Sequence, residues 1–470
     1  MVIKTTLKKG LEIIVSIDSI AFGGKGLAKY NNIVVFVKNA IPGQKLKIVI
    51  IKKSKQYFEG KIVEIISESP HYKKPLCEHF LYCGGCSFQN LDYKIQTDQK
   101  MQQIKDIFDR IGQQKKYNLD PIETCSNIYE YRNKMEFTFS NRRWILKDEP
   151  QNVKSNFALG LHIPGRYDKI LDINQCHIQK KTANKILNIV KEYSSELDPY
   201  DIIEHNGFLR NLMIRHTANT NQIMVNIVTA FENTELLKPL VNKIIEKVNT
   251  VKSIVNNITA RKAGVSTGEY EINLYGDNYI QEEINGLIFN ISANSFFQTN
   301  TLQTEKLYSM IINKCDLKKD DIVYDLYSGT GTIGISMARY VKFVYGFEIV
   351  KEAVNDAKIN AKLNNINNIK FFKGDLKNIF RVNLDTEKIE KPNIMVVDPP
   401  RAGMHKKTIL DIVKKEPEKI IYISCNPSTQ ARDIKELSEY KYKLKRVLPL
   451  DMFPHTPHVE NIAIIERLNG

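Results

Sequence analysis

Asp321-Ile322-Val323-Tyr324-Asp325-Leu326 runs directly into Tyr327-Ser328-Gly329-Thr330-Gly331-Thr332-Ile333-Gly334, and this junction decides how the chain folds. The first six residues are apolar enough for a short strand buried on both faces. Gly329, Gly331 and Gly334 then let the backbone turn tightly and approach a ligand closely. Ile335 to Tyr340 reads as an apolar helix. Lys342-Phe343-Val344-Tyr345-Gly346-Phe347 reads as a second strand that ends at Glu348. That acid lies 19 residues after Gly329, where a carboxylate closing the second strand meets ribose hydroxyls. Strand, turn, helix, strand and acid in register predict an open α/β sheet that holds a nucleoside.

A dinucleotide fold shares the acid. Two later features suit S-adenosylmethionine better. Asp375, in Phe372-Lys373-Gly374-Asp375, fits an adenine edge. Asp398-Pro399-Pro400-Arg401 fits a catalytic loop after the fourth strand. Further on come Ser424-Cys425-Asn426-Pro427 and, 35 residues after Cys425, Glu460 in His458-Val459-Glu460. A lone cysteine is ordinarily a small buried hydrophobe. Beside a methyl donor it becomes a candidate nucleophile. Uracil C5 is a poor nucleophile, and a thiolate that adds to C6 makes C5 enolate-like. The C5 proton must then leave so that the thiolate can be eliminated. Nucleophile, donor and general base are all required, and Cys425 and Glu460 fit the first and the last. A free thiol has a pKa of about 8.5 and is mostly protonated at neutral pH. The pattern therefore calls for a local activator without naming one.

With these residues the chain resembles the RNA uracil-5-methyltransferases, most closely the 23S ribosomal-RNA branch with a TRAM domain and an iron–sulfur cluster. Tyr131-Arg132-Asn133-Lys134, Phe296-Phe297-Gln298, Asp325-Leu326-Tyr327, Asp398-Pro399-Pro400-Arg401-Ala402-Gly403, Ser424-Cys425-Asn426-Pro427 and His458-Val459-Glu460 follow the family's motifs in order. The resemblance implies that Cys425 is the nucleophile and Glu460 the proton acceptor. It places donor contacts on Gln298, Tyr327, Gly329, Glu348 and Asp398, with Asp375 near the adenine. Many relatives have cysteine where Ser328 stands, a change that a backbone-lined loop tolerates. The expected fold is a Rossmann-like class I methyltransferase domain, an N-terminal OB-like barrel of the TRAM type and a central α/β domain.

The charge and the cysteines agree with an RNA partner. The 470 residues carry a net charge of +15 with a pI near 9.2, and 42% are hydrophobic, enough for about three cored domains. Residues 1–68 hold 12 lysines, no arginine and 5 acidic residues, a net 12 − 5 = +7. Strands are expected over Glu12 to Asp18, Ile33 to Val37, Gln44 to Lys52 and Gly60 to Ile66, with Gly23 to Ala28 as a tight turn, in a five-stranded barrel. The seven cysteines are an odd number. With no secretory leader and no apolar run long enough for a bilayer, they point to a reduced cytoplasm and no membrane. Cys77, Cys83, Cys86 and the distant Cys176 could bind zinc or an iron–sulfur cubane, and spacing does not choose between them. The resemblance favours a 4Fe-4S cluster that pins a loop and shapes the RNA surface. Cys125 and Cys315 read as packing residues.

Leu91 to Ile111 has helical apolar spacing. In relatives such a helix packs on the catalytic domain. The expected domains are therefore discontinuous: 1–69 the barrel, 70–95 with 121–293 the cysteine loop and central domain, and 96–120 with 294–470 the methyltransferase domain. The expected partner is 23S rRNA, with no obligate protein partner evident. A tRNA uracil-5-methyltransferase and a non-catalytic RNA-binding iron–sulfur protein are the competing readings. Relatives acting on tRNA usually lack the barrel and the cysteines, and intact Cys425, Glu460 and Gln298 argue against lost catalysis.

Overall fold

A computed structural model describes residues 8–150, 152–262, 268–374 and 389–468. Its N-terminal sheet has six strands, hydrogen-bonded in the order Glu12–Ser16, Lys45–Lys53, Tyr57–Ser67, Ile33–Val37, Gly26–Tyr30, Ser19–Ile20. Period-two alternation buries Ile13 and Val15 and leaves Glu12 and Ile14 outside. The inward residues close a core with Ala28, Val35, Val37, Leu46 and Ile48. The stretch Gly23 to Ala28 is only partly the expected turn. Gly23 and Gly24 turn the chain at φ +93° and +91°, but Gly26 already begins a strand. A Cβ there would stand 2.8 Å from the Cβ of Ala40, so this glycine serves close packing rather than the turn. The extra strands make six where five were expected.

The central sheet has eight strands in the order Tyr270–Gly276, Val251–Ile258, Ile223–Thr229, Leu209–His216, Lys134–Ser140, Ala158–Ile163, Arg166–Asp172, Arg143–Trp144. Helices Lys181–Ser194 and Thr234–Lys247 cover one face. Phe137, Phe139, Leu212 and Ile214 pack into them with Ile186, Leu187, Leu240 and Ile244. The alternate residues point the other way. Met213, Met224 and Val255 join the core of the catalytic region, while Glu136, Thr138 and Asn211 border open space.

The catalytic sheet runs Ile369–Lys373, Phe343–Glu348, Ile322–Leu326, Ile394–Val397, Lys419–Ser424, Glu460–Arg467, Tyr442–Leu450, Asn118–Leu119. The first five are parallel, and Glu460–Arg467 enters antiparallel to Lys419–Ser424. Alternate strand residues feed two cores. Val323, Val344, Val396 and Ile421 meet helices Thr301–Lys314, Thr332–Ala338 and Lys351–Leu363. Tyr324, Met395, Val397 and Tyr422 meet Tyr93–Arg110, Lys406–Lys415 and Pro427–Ser438. This is the Rossmann-like, doubly wound arrangement. Strand order reverses between Ile322–Leu326 and Ile394–Val397, so a crevice opens beyond their carboxyl ends. Tyr327 and Asp398 stand there.

Helix Tyr93–Arg110 starts where Asp92 accepts a hydrogen bond from Lys94 N at 2.9 Å. It buries Lys100, which meets Asp451 at 2.6 Å with both side chains almost wholly enclosed. That pair ties the helix to the loop leading toward His458. No helix of the described residues is long and apolar enough to cross a membrane.

Candidate active site

The donor end is built by the glycine turn. Tyr327, Gly329 and Gly331 take φ of +62°, +52° and +80°. Gly329 N donates to Glu348 Oε2 at 3.0 Å, and Ile349 N and Val350 N donate to Oε1 at 2.8 Å each. The carboxylate is thus aimed by backbone alone. Gly334 N donates to Asp325 Oδ2 at 3.0 Å, and a Cβ on Gly334 would sit 2.8 Å from that oxygen, so only glycine fits. A Cβ on Gly329 would meet nothing within 4 Å, which leaves room for a ligand over the turn.

Burial pushes Asp325 up to about 8, opposed by the Gly334 N–H and assisted by Asp398 and Glu348. Burial also pushes Asp398 up to about 7, although part of its surface still opens on the crevice. Carboxylates held this way favour a cationic ligand, because a nearby positive charge restores their ionised forms. A sulfonium donor is such a cation, so the site suits it. Asp375 lies outside the described residues. Gln298 lines the neighbouring cleft with Arg401 and His458. Asn133 Nδ2 donates to the Gln298 carbonyl at 3.0 Å and to Thr301 Oγ1 at 2.9 Å, and Asn133 N donates to the Thr299 carbonyl at 2.8 Å.

Cys425 and Glu460 meet through strand register. Ser424 pairs with Asn461 across antiparallel strands. The next residues outward, Cys425 and Glu460, therefore face one another at the strand ends. Cys425 directly precedes Asn426, the N-cap of helix Pro427–Ser438, whose side chain accepts from Ser428 N at 3.1 Å. A thiolate benefits from this position at a helix N-terminus. Burial raises the Cys425 thiol and the Glu460 charge adds to the rise, while the nearby Arg401 guanidinium opposes both. Glu460 is 4% exposed. Burial and then Asp398 hold it well above the usual carboxylate range, with Arg401 pulling it down.

Arg401 is the residue that sequence reasoning left without a role. Its carbonyl accepts from Asn426 Nδ2 at 3.0 Å and Thr429 Oγ1 at 3.2 Å, so the start of helix Pro427–Ser438 grips the Asp398-Pro399-Pro400-Arg401 loop. Its Nη2 lies 2.9 Å from His458 Nδ1. Burial and Arg401 lower His458 to about 4, which keeps the ring neutral and able to accept. Both residues stood in motifs already quoted, but only tertiary contact shows that they orient one another beside the thiol.

Gln298, Arg401 and His458 line a cleft of about 680 Å³, together with Arg132, Phe296 and the loop residues Gly84 and Gly85. Those glycines lie between Cys83 and Cys86, so the cysteine loop forms one wall. Cys83 and Cys86 each sense the charge of both Cys77 and Cys176. Gly85 N donates to Cys83 Sγ at 3.3 Å, and Cys176 accepts from the backbone at Ile178 and Gln179. Among the described residues, no three His, Cys, Asp or Glu side chains stand close enough to grip an ion as placed. Cys77, Cys83, Cys86 and Cys176 are, by residue type, the donors that a thiolate-held metal group takes.

A profile described as tRNA (uracil-5-)-methyltransferase matches residues 217–468, and a TRAM domain profile matches residues 7–63. The chain is 41% identical over 433 residues to an uncharacterized RNA methyltransferase of Chlorobaculum tepidum, covering 91% of this chain and 90% of that one. It is 40% identical to an uncharacterized RNA methyltransferase of Porphyromonas gingivalis, over 96% of this chain and 99% of the other. Among solved structures, the Pyrococcus abyssi tRNA (uracil-54, C5)-methyltransferase in complex with S-adenosyl-L-homocysteine superposes with a TM-score of 0.72. It is 27% identical and covers 96% of this chain and 100% of its own.

Proposed function

The chain belongs to the tRNA (uracil-5-)-methyltransferase family, S-adenosylmethionine-dependent enzymes acting on RNA, and from that premise we propose that it methylates C5 of a uridine in 23S rRNA through a covalent Cys425 adduct. The observation that carries the mechanism is the apposition of Cys425 and Glu460 at neighbouring strand ends, with the Arg401 guanidinium lowering the thiol. S-adenosylmethionine supplies the methyl group as a cation equivalent, and Tyr327, Glu348, Asp398 and Gln298 would hold it. The Cys425 thiolate adds to C6, and the C5–C6 π electrons move onto C5 and O4. Arg401 stabilises the thiolate before attack and when it leaves again. Once C5 carries its methyl group, Glu460 takes the C5 proton. The C5–C6 double bond re-forms and expels the sulfur. A base with a raised pKa suits this step, since proton transfer is most effective near the working pH.

Cys77, Cys83, Cys86 and Cys176 would hold a 4Fe-4S cluster in a structural role, because methyl transfer by this route consumes no electron. Its support is the thiol quartet beside the cleft wall at Gly84 and Gly85.

The choice of rRNA rests on the barrel together with the cysteines. One finding favours tRNA instead: the Pyrococcus abyssi enzyme acts on tRNA and covers 96% of this chain. The uncovered remainder is too short to contain the barrel, so the barrel does not by itself separate the two substrates. Mapping 5-methyluridine in rRNA and tRNA from a deletion strain separates them. Loss of a site from 23S rRNA alone is expected. Loss from tRNA alone would move the substrate to tRNA.

A further inference from the structure

The catalytic cleft does not end at the catalytic loops. Glu136, Leu161 and His162 line it and also line a second hollow of about 310 Å³ along the open face of the central sheet. The pleat presents Glu136 and Thr138 to this hollow, while Phe137 turns into the helical side. Tyr167, Tyr200, Asp168 and Asn211 complete the rim. The methyl-transfer chemistry uses none of them.

We propose that this hollow takes a second, unstacked nucleobase of the substrate RNA, next to the target uridine, and selects one that bears an exocyclic amino group. The proposal rests on the catalytic cleft being the place where the target uridine enters. A uridine drawn out of a folded RNA leaves its neighbours without stacking partners, and proteins accommodate such bases on aromatic faces. Tyr167 is 72% exposed beside the hollow, so its ring is open to a stacking base. Tyr200 is pre-set. The Arg210 guanidinium lies 4.2 Å from its ring centre, and Arg210 Nη1 is anchored on the Thr259 carbonyl at 3.1 Å. A platform fixed before binding loses little freedom when a base stacks on it.

The polar rim sets the preference. Arg166 grips both oxygens of Asp168 at 2.8 Å and holds its carboxyl low, at about 2. Glu136 supplies a second carboxyl group. With both Asp168 oxygens engaged by Arg166, Glu136 is the carboxyl group of the rim placed to accept an N–H donor, so the base edge, rather than the backbone, points inward. Adenine, cytosine and guanine bring amino donors there, whereas uracil presents mainly carbonyl oxygens.

The test uses a transcript carrying the target uridine, taken from whichever RNA the wild-type enzyme methylates. Single abasic residues are introduced at each flanking position. Tyr167→Ala is expected to raise KM about tenfold or more, the weight of one base–aromatic stack. Thermal midpoint and donor affinity should be unchanged, because the side chain is exposed. One abasic position should raise the wild-type KM by a similar factor and add nothing further in Tyr167→Ala. At that position wild type should discriminate against uracil, and Glu136→Gln should lose the discrimination. An unchanged KM in Tyr167→Ala, or effects that multiply at every position, would overturn the proposal. If Cys425→Ala retained methylation, the reading of the entry cleft would fail instead, whatever Tyr167→Ala did.

Discussion

Replacing Arg401 by glutamine tests how the nucleophile is activated. The guanidinium is the cation that lowers the Cys425 thiol, working against burial and the Glu460 charge. Hydrogen bonds to charged groups contribute about 1.5–3 kcal/mol. At about 1.36 kcal/mol per decade of rate, Arg401→Gln should slow adduct formation at neutral pH by roughly tenfold to a hundredfold. The sign follows from the charges: without the guanidinium the thiol pKa rises further, so the rising limb of the pH profile moves to higher pH. The deficit should therefore shrink in alkaline solution, where the thiolate forms unaided. The loop itself should persist, because Asn426 and Thr429 hold the Arg401 backbone carbonyl rather than its side chain. The assay is single-turnover trapping on 5-fluorouridine RNA, with covalent complex followed at several pH values and donor affinity measured in parallel. Arg401→Lys should recover part of the rate by keeping the charge, though not the planar fork. A trapping rate and pH profile identical to wild type would show that Cys425 is activated by something else.

Three further outcomes follow from the same geometry. Glu460→Gln should form the adduct yet stall before release and accumulate a denaturation-resistant protein–RNA complex. In wild type, the acid limb of the release step should lie above the ordinary carboxylate range because Glu460 is raised, and normal turnover by the variant would reassign the base. Anaerobic protein should hold about four irons per chain if Cys77, Cys83, Cys86 and Cys176 carry a cubane. Cys83→Ser should then lose iron and weaken RNA binding more than donor binding, whereas stoichiometric zinc in wild type would replace the cluster. Lys100→Met leaves Asp451 buried without its ion-pair partner and should cost about 3–5 kcal/mol, read as a lower urea midpoint of the catalytic region.

The donor fold was legible because its signals are local. Asp325, Gly329, Gly331, Gly334 and Glu348 lie within one strand–turn–helix–strand unit, and their bonds close inside it. Cys425 and Glu460 stood out in sequence as candidates, but their apposition depends on the register of two strands far apart in sequence. The parts of Arg401 and His458 were hidden for the same reason, although both residues stood in quoted motifs. Gly26 misled because a glycine that serves packing looks, in sequence, like one that serves a turn. The hollow beside Tyr167 had no motif at all: its lining comes from several strands and loops of the central sheet.

The most direct measurement is mass spectrometry of the covalent complex formed with 5-fluorouridine RNA and S-adenosylmethionine. Fluorine on C5 cannot leave as a proton does, so the intermediate should persist. The account predicts one peptide, containing Cys425, linked to a nucleotide that carries both the fluorine and an added methyl group, and no such complex with Cys425→Ala. A complex through another cysteine, or full methylation of ordinary RNA by Cys425→Ala, would contradict it.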